Sequence, residues 1–281
     1  MRIFLTLTVA LTFSSTALAQ TERCDALTDE KAELARTLLS EIHPYDCCDD
    51  TIAGCLEAES ECTLVTRLAD DVCRLVAAGA NAEETKRAIS RRAQSMMPAM
   101  RPAEIDLDEA TRAGDESAPI TLVMYACVTC PFCYSIASDI QRIVTEGELK
   151  GKVKLYYRSF PLRGHENSVD GALALTAAAR MGQFWAYANL LYPQIHEFST
   201  EKAVEWAESL GMDTEEFEGL MKASETREHL AASRREGERN RVTSTPTFFI
   251  NGRRYTYDTD RWVLIDVLQE EHERIAASSG D

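Results

Sequence analysis

The chain has 281 residues, of which 45% are hydrophobic and 27% are charged, and its formal net charge at pH 7 is −16. This acidic balance disfavours nucleic acid and anionic membrane surfaces as partners, because both would repel the chain. The length exceeds what one small fold needs, so we expect more than one domain.

Residues 1–19 have the pattern of a cleaved secretory signal peptide. A single basic residue, Arg2, precedes an apolar stretch that is too short to span a bilayer, and Ala17-Leu18-Ala19 is a small-residue cleavage site. The shortness of the stretch disfavours the alternative, an uncleaved N-terminal anchor. Export would place the nine cysteines in an oxidising compartment where disulfides persist. We therefore expect a soluble periplasmic protein.

The distribution of the cysteines predicts two domains. Six of them lie between Cys24 and Cys73, three lie between Cys127 and Cys133, and none follow. A stretch rich in proline, glycine and charge separates the two groups. The predicted segments are a cysteine-rich helical domain at 20–96, a linker at 97–112 and a second domain at 113–281, which includes a helical insert at about 166–240.

The first domain contains two apolar patterns of helical period, over residues 34–42 and 64–76. Asn81 and Glu84 form a capping-box pattern that starts a third helix, so a small all-α bundle is predicted. Six cysteines permit many connectivities, among which the sequence does not choose. We interpret them as disulfide staples, with an auxiliary redox centre as the alternative: Cys24, Cys47, Cys48, Cys55, Cys62 and Cys73.

The second domain begins with a predicted βαβ unit. A strand over Ile120–Ala126 precedes a helix over 131–144 and a second, parallel strand over 153–158. Helical patterns then form the insert, over 169–191, 202–210 and 215–239.

A hairpin and a last helix complete the predicted elements. Thr247–Ile250, the pair Asn251-Gly252 and residues 253–257 predict two short strands joined by a two-residue type I′ turn. Trp262, Ile265 and Leu268 mark the helix. The resulting order is β-α-β, helical insert, β-β-α.

The motif Cys130-Pro131-Phe132-Cys133 lies where the first strand gives way to a helix. Cys130 falls at the predicted N-cap, and Pro131 takes the first helical position, which needs no N–H partner. Free N–H groups and the helix dipole lower the pKa of a thiolate at this end of a helix. Cys133 lies one turn further on the same face, where it can attack a mixed disulfide formed at Cys130. The motif thus predicts Cys130 as nucleophile and Cys133 as resolving thiol.

Three segments, GDESAPITLVMYACVTCPFCYSIA, KVKLYYRSFPLRGHENS and VTSTPTFFING, resemble the DsbA-like branch of the thioredoxin superfamily over about residues 114–281. The resemblance implies an α/β fold, the thioredoxin fold with a helical insertion, and an enzyme that acts on protein disulfides without a cofactor. It also implies that Thr245-Pro246 is the cis-proline loop, whose backbone binds an extended substrate segment. Phe132, an exposed aromatic beside the thiol, would contact substrate.

The partners that this resemblance implies are proteins with cysteines and a membrane or periplasmic redox partner. Whether the protein oxidises, reduces or isomerises disulfides stays open, because potentials a few tens of millivolts apart separate these roles. The N-terminal bundle is faintly similar to the thiol-bearing bundle of CcmH-type proteins. It could also mediate oligomerisation, as N-terminal extensions do in DsbC- and ScsC-type isomerases.

Three positions depart from the family's pattern or add to it. Met124 stands six residues before Cys130, where thioredoxin and DsbA have a buried acid, so proton transfer must use water or another group. The intervening pair lacks the histidine of DsbA, and we therefore expect a less oxidising protein. His165 follows the second strand, where a surface-loop role is favoured.

Cys127 extends the motif to C-x-x-C-x-x-C. Three thiolates could bind a soft metal such as Cu(I) or Zn(II), so a non-enzymatic metal-binding protein that uses Cys127, Cys130 and Cys133 is the main alternative. Pro131 and the flanking elements favour a dithiol site without metal, in which Cys127 is a buried strand-end thiol or an auxiliary group. A glutathione-dependent enzyme is less favoured, because it would not need the second cysteine.

Overall fold

The computed structural model describes residues 21–98 and 100–278, so the predicted signal peptide lies outside the described residues. The chain divides into two compact units, Met1–Ser90 and Arg91–Asp281. This boundary precedes the predicted linker at 97–112. Within that stretch, Glu109–Thr111 form a turn of 3₁₀ helix, and Arg112 belongs to a strand because its backbone pairs with Tyr156.

The first unit is helical, as its apolar patterns predict. The expected capping box is confirmed: the backbone N–H of Asn81 donates to Glu84 Oε2 at 2.9 Å, and that of Glu84 donates to Asn81 Oδ1 at 3.0 Å. The last helix begins in this unit and ends in the second. The helices are α1 (Glu22–Asp25), α2 (Asp29–Leu39), α3 (Ile52–Glu57), α4 (Thr63–Ala77) and α5 (Ala82–Met96).

Three disulfides staple this unit. Cys24–Cys73 is fully buried and joins α1 to α4, whereas Cys47–Cys62 and Cys48–Cys55 close shorter loops around α3. The adjacent Cys47 and Cys48 each bond to a distant partner. Neither the helical periods nor the cysteine spacing determined this connectivity, because the pairing depends on how the helices pack.

The second unit contains a five-stranded sheet of order β1-β3-β2-β4-β5, in which β2 and β3 are parallel and the other neighbours antiparallel. The parallel strands β2 and β3 are buried on both faces, which accounts for their nearly continuous apolar runs. The strands are β1 (Arg112–Ala113), β2 (Ile120–Ala126), β3 (Val153–Ser159), β4 (Thr247–Ile250) and β5 (Arg253–Arg254).

Helix α6 (Pro131–Thr145) connects the two parallel strands, and α12 (Arg261–Ser278) ends the unit. The insert has five α-helices and a 3₁₀ helix (Tyr192–Glu197) where the sequence predicted three helical stretches. Gly182, whose φ of 73° lies in the left-handed region, divides the first stretch, and the extended backbone of Ala223 divides the last. The insert helices are α7 (Ser168–Arg180), α8 (Phe184–Leu191), α9 (Thr200–Ser209), α10 (Thr214–Lys222) and α11 (Ser224–Arg239).

The predicted hairpin turn is confirmed, because Asn251 and Gly252 have φ angles of 49° and 76°, as a type I′ turn requires. Its second strand is shorter than the predicted 253–257. The N–H of Thr256 donates to Ser95 Oγ at 3.0 Å instead of continuing the ladder, so the backbone leaves the sheet there.

A buried ion pair fastens helix α11 to the sheet. The Glu236 carboxylate accepts hydrogen bonds from Arg158 Nε at 3.1 Å, from the Tyr125 hydroxyl at 2.6 Å and from the backbone N–H of Asp106 at 2.7 Å. The buried Glu236 carboxylate is thus paired with a cation and also hydrogen-bonded, as a buried charge requires. No helix within residues 21–98 and 100–278 is long and apolar enough to cross a membrane.

Candidate active site

Cys130 lies at the N-cap of α6, as the motif predicts. Its backbone is extended, with φ −83° and ψ 120°, and Pro131 begins the helix. The Cys130 residue is only 3% exposed and Cys133 is fully buried. Both thiols are therefore shielded from solvent, Cys133 completely and Cys130 almost completely.

The loop before β4 lies against the Cys130 thiol. The peptide bond between Thr245 and Pro246 is cis, and the Cys130 sulfur lies 3.4 Å from the carbonyl oxygen of Thr245, to which it donates when it is protonated. This contact joins residues that are 115 positions apart. The fold thus brings together the two motifs that the sequence could place only on separate elements.

The two thiols of the motif have opposite acidities. The pKa of Cys130 is lowered to about 5, chiefly by a hydrogen bond from the Cys133 thiol, with further contributions from the backbone N–H of Cys133, the Thr245 side chain and the N–H of Phe132; burial opposes the shift. The pKa of Cys133 is raised, first by burial and then by the neighbouring Cys130. At neutral pH Cys130 is thus ionised while Cys133 is protonated, the arrangement that a nucleophile and a resolving thiol need.

Aromatic residues flank the thiol at the surface. Phe132 is 72% exposed and Tyr134 is 43% exposed, although both are large apolar side chains. An exposed aromatic ring next to a reactive thiol is available to contact another molecule. Phe132 therefore lies where the sequence analysis expects a substrate contact.

Cys127 contacts a residue of the segment that follows β3. Its buried sulfur lies 3.4 Å from Thr129 Oγ1 and 3.7 Å from His165 Nδ1. The contact with His165 was not predicted, because a surface-loop role was expected for that residue. The two residues meet because the parallel strands β2 and β3 end at the same edge of the sheet, where the Phe160 N–H donates to the carbonyl oxygen of Ala126.

The described residues include no group of three or more histidine, cysteine or acidic side chains arranged to hold a metal ion. The three cysteines of the extended motif thus do not converge on one point in this structure. Met124, at the position of the expected acid, is fully buried and lies beside Tyr157 in the parallel register of β2 and β3.

A family model described as "Thioredoxin" (Thioredoxin_4) matches residues 107–264, which is more than half of the chain. The chain belongs to this thioredoxin family. The prediction of a thioredoxin fold with a helical insertion, preceded by a cysteine-rich helical region, is confirmed.

Two solved structures share this fold. Oxidised BdbD from Bacillus subtilis is 21% identical with a TM-score of 0.51, and the match covers 62% of this chain and all of that one. The thiol-disulfide exchange protein α-DsbA2 from Wolbachia pipientis is 22% identical with a TM-score of 0.50, over 66% of this chain and 94% of that one. Both likenesses show that the second unit shares the fold of these proteins.

The curated relatives that match are much longer proteins. Na(+)/H(+) antiporter NhaA 1 of Mycobacterium sp. (strain KMS) is 32% identical over 160 residues, which are 56% of this chain and 26% of that protein. Na(+)/H(+) antiporter NhaA 3 of Salinispora tropica is 31% identical over 217 residues, which are 74% of this chain and 30% of that protein. The chain therefore spans less than a third of the length of these relatives.

Proposed function

We propose that this protein is an exported thiol–disulfide oxidoreductase that acts on protein disulfides through a mixed disulfide at Cys130, which Cys133 resolves. The observation that carries the proposal is the opposite acidity of the two thiols. Cys130, with a pKa of about 5, is ionised at neutral pH, whereas burial keeps Cys133 protonated until it is needed.

The reductive direction illustrates the chemistry. The Cys130 thiolate attacks one sulfur of a substrate disulfide, a bond forms between these two sulfurs, and the other substrate sulfur leaves as a thiolate. Cys133 then loses its proton and attacks Cys130 Sγ, which breaks the mixed disulfide and releases the second substrate thiol. The substrate is reduced and the pair Cys130–Cys133 is oxidised; the oxidative direction reverses both steps.

Substrate binding at the Thr245-Pro246 loop follows from its position. The carbonyl oxygen of Thr245 lies 3.4 Å from the Cys130 sulfur, so an extended peptide that pairs with this backbone would bring its own disulfide to Cys130. The exposed ring of Phe132 would contact apolar side chains of the same peptide. Because the protein would recognise the backbone of the peptide and contact its side chains through one aromatic ring, it would bind many substrates of different sequence.

Export is supported by the three disulfides of the first unit, because such bonds persist in oxidising compartments. The solved structures that share the fold include one titled a thiol-disulfide exchange protein, which supports the same class of activity here. A periplasmic location and a separate redox partner, which would restore Cys130 and Cys133 after each turnover, belong to this proposal.

Trapping tests the proposal directly. A Cys133→Ala variant should retain clients on Cys130 as mixed disulfides that dithiothreitol releases, while a Cys130→Ser variant and a Cys130→Ser/Cys133→Ala double variant should retain none. A Cys127→Ser/Cys133→Ala variant is the matched control and should trap as well as Cys133→Ala. Full activity of Cys130→Ser in insulin reduction or ribonuclease refolding would overturn the proposal.

A further inference from the structure

A pair of buried tyrosine hydroxyls lies in the interior of the second unit. The Tyr192 hydroxyl donates a hydrogen bond of 2.9 Å to the hydroxyl of Tyr157. Tyr192 is 1% exposed and Tyr157 is 2% exposed. Phenylalanine would fill the same space without the cost of removing two hydroxyl groups from water, so packing alone does not require tyrosine at either position.

The position of this pair in the sheet links it to the missing acid. Tyr157 on β3 is the register partner of Met124 on β2. Register partners project from the same face of a sheet, so the Tyr157 side chain lies on the face where a carboxylate at position 124 would lie. Tyr157, and Tyr192 through its hydrogen bond to Tyr157, thus lie on the face of the sheet where the expected acid would have projected.

Tyr192 also contacts the helix that carries the resolving thiol. The Tyr192 ring packs against the ring of Tyr134, the residue after Cys133 on α6, with centroids 6.3 Å apart. Burial raises the pKa of Tyr157 well above its usual range, and the charge of Cys133 is the next contribution. For Tyr192, burial is followed by Tyr157 and then by Cys133. Both hydroxyls thus stay protonated and serve as donors.

One donor of the pair is unused. Tyr157 accepts the hydrogen bond from Tyr192, and its own O–H has no acceptor among residues 21–98 and 100–278. A buried donor without an acceptor is uncommon, because it loses its hydrogen bonds to water without replacement. An acceptor that appears only during the reaction, such as an ionised sulfur, would satisfy it.

We propose that the Tyr157–Tyr192 hydroxyl pair positions and stabilises the Cys133 thiolate while it resolves the mixed disulfide, with Tyr157 donating to the sulfur and Tyr192 donating to Tyr157. The proposal rests on the proposed function, in which Cys133 is the resolving thiol. A chain of two donors strengthens the bond to an anion, because each hydroxyl polarises the next. The tyrosines are positioning residues and do not react.

The step balances without a further reactant. As Cys133 attacks, a bond forms between its sulfur and Cys130 Sγ, and the bond from Cys130 to the substrate sulfur breaks. The electron pair of the broken bond goes to the substrate sulfur, which takes up the proton that Cys133 has lost. Both tyrosines keep their protons throughout.

A two-phase thiol assay separates resolution from the first attack. One equivalent of 5,5′-dithiobis(2-nitrobenzoate) is mixed with protein reduced at Cys130 and Cys133, with Cys127→Ser in every sample. Cys130 releases the first thionitrobenzoate anion, Cys133 releases the second, and stopped-flow absorbance records both. In Tyr157→Phe we expect the second phase to slow about tenfold and in Tyr192→Phe about threefold, while the first phase stays within twofold.

Tyr187→Phe is the matched control. Tyr187 is a fully buried tyrosine of the same insert, but its hydroxyl donates to the carbonyl oxygen of Ala203 and its pKa responds to burial alone. Both phases should be unchanged in this variant. The pH at which the second phase reaches half its maximal rate should also rise in Tyr157→Phe, an effect that a general loss of packing would not produce.

The outcomes distinguish this proposal from the proposed function. A second phase within twofold of the parent rate in both Tyr157→Phe and Tyr192→Phe would overturn the tyrosine proposal alone, as would equal slowing by Tyr187→Phe. Absence of the first phase in the parent protein would overturn the proposed function and this proposal together. Circular dichroism checks folding, and Tyr192→Phe, which retains the ring packed on Tyr134, provides the test if Tyr157→Phe does not fold.

Discussion

The sulfur of Cys130 lies 3.4 Å from the carbonyl oxygen of Thr245, although 115 positions separate the two residues in the chain. This contact places the N-terminus of α6 beside the loop that precedes β4. As a consequence, the proposed nucleophile, the loop proposed to bind substrate and the exposed Phe132 lie together.

The acidity of Cys130 should control the redox potential. With a pKa of about 5, the reduced form is stabilised less than in DsbA, whose thiol has a pKa near 3.5, and more than in thioredoxin, near 7. We expect a potential between those of the two proteins, about −120 mV and about −270 mV. Equilibration with glutathione buffers, followed by alkylation and mass measurement, gives the value.

The same acidity makes the stability of the reduced protein depend on pH. The folded-state pKa of about 5 lies below the ordinary value of 9.0, so the unfolded state binds more protons between these values. The contribution to stability is fully present above pH 9 and is lost as the pH falls through about 5. Urea unfolding of a Cys130→Ser variant over this range should lack the dependence, and equal slopes for both proteins would contradict the assignment.

The Thr245 side chain should help to lower the pKa of Cys130. The pKa of Cys130 depends first on the Cys133 thiol and also on the Thr245 side chain, whose buried hydroxyl has no hydrogen-bond partner within the described part of the chain. In Thr245→Val we expect the pKa of Cys130, read from thiolate absorbance at 240 nm, to rise. Thr247→Val is the matched control, because the hydroxyl of Thr247 donates to the carbonyl oxygen of Ser244; the same rise in both variants would contradict the role of Thr245.

Phe132 should contribute to substrate binding rather than to stability. The side chain is 72% exposed, so Phe132→Ala should change the free energy of unfolding by less than about 0.5 kcal/mol. Loss of an aromatic contact should raise KM for insulin about three- to tenfold with little change in kcat. Trp262→Ala, at another exposed aromatic that stacks on Arg261, should leave KM unchanged. An unchanged KM in Phe132→Ala would remove this residue from the binding surface.

The ion pair of Glu236 and Arg158 should dominate the stability of the insert. Glu236→Gln leaves the buried guanidinium of Arg158 without its counter-charge, which costs about 3–5 kcal/mol in comparable buried pairs. Glu238→Gln, on the same helix, breaks only a partly exposed pair with Arg234 and should cost less than about 1 kcal/mol. Urea unfolding of the two variants measures the difference, and equal costs would contradict the importance of burial.

Local patterns predicted most of the elements of the second unit. The apolar run of β2 coincides with Ile120–Ala126, and the sequence pair Asn251-Gly252 forms the predicted turn. Where the predicted and observed elements differ, the end of the element is set by a contact with a distant residue or by the backbone angle of one residue. Thr256 leaves the sheet to bond with Ser95, and Gly182 interrupts a helical pattern that continues on both sides of it.

The sequence by itself determined the active-site motif, the helix that it begins and the type of fold, because periodicity, capping and turn chemistry act between residues a few positions apart. Only the tertiary structure decided which cysteines bond in the first unit, that His165 contacts Cys127, and that the hydroxyls of Tyr157 and Tyr192 meet. These contacts join residues from 7 to 49 positions apart in sequence, some on different strands and helices. Their geometry depends on strand order and helix packing, which no local pattern encodes.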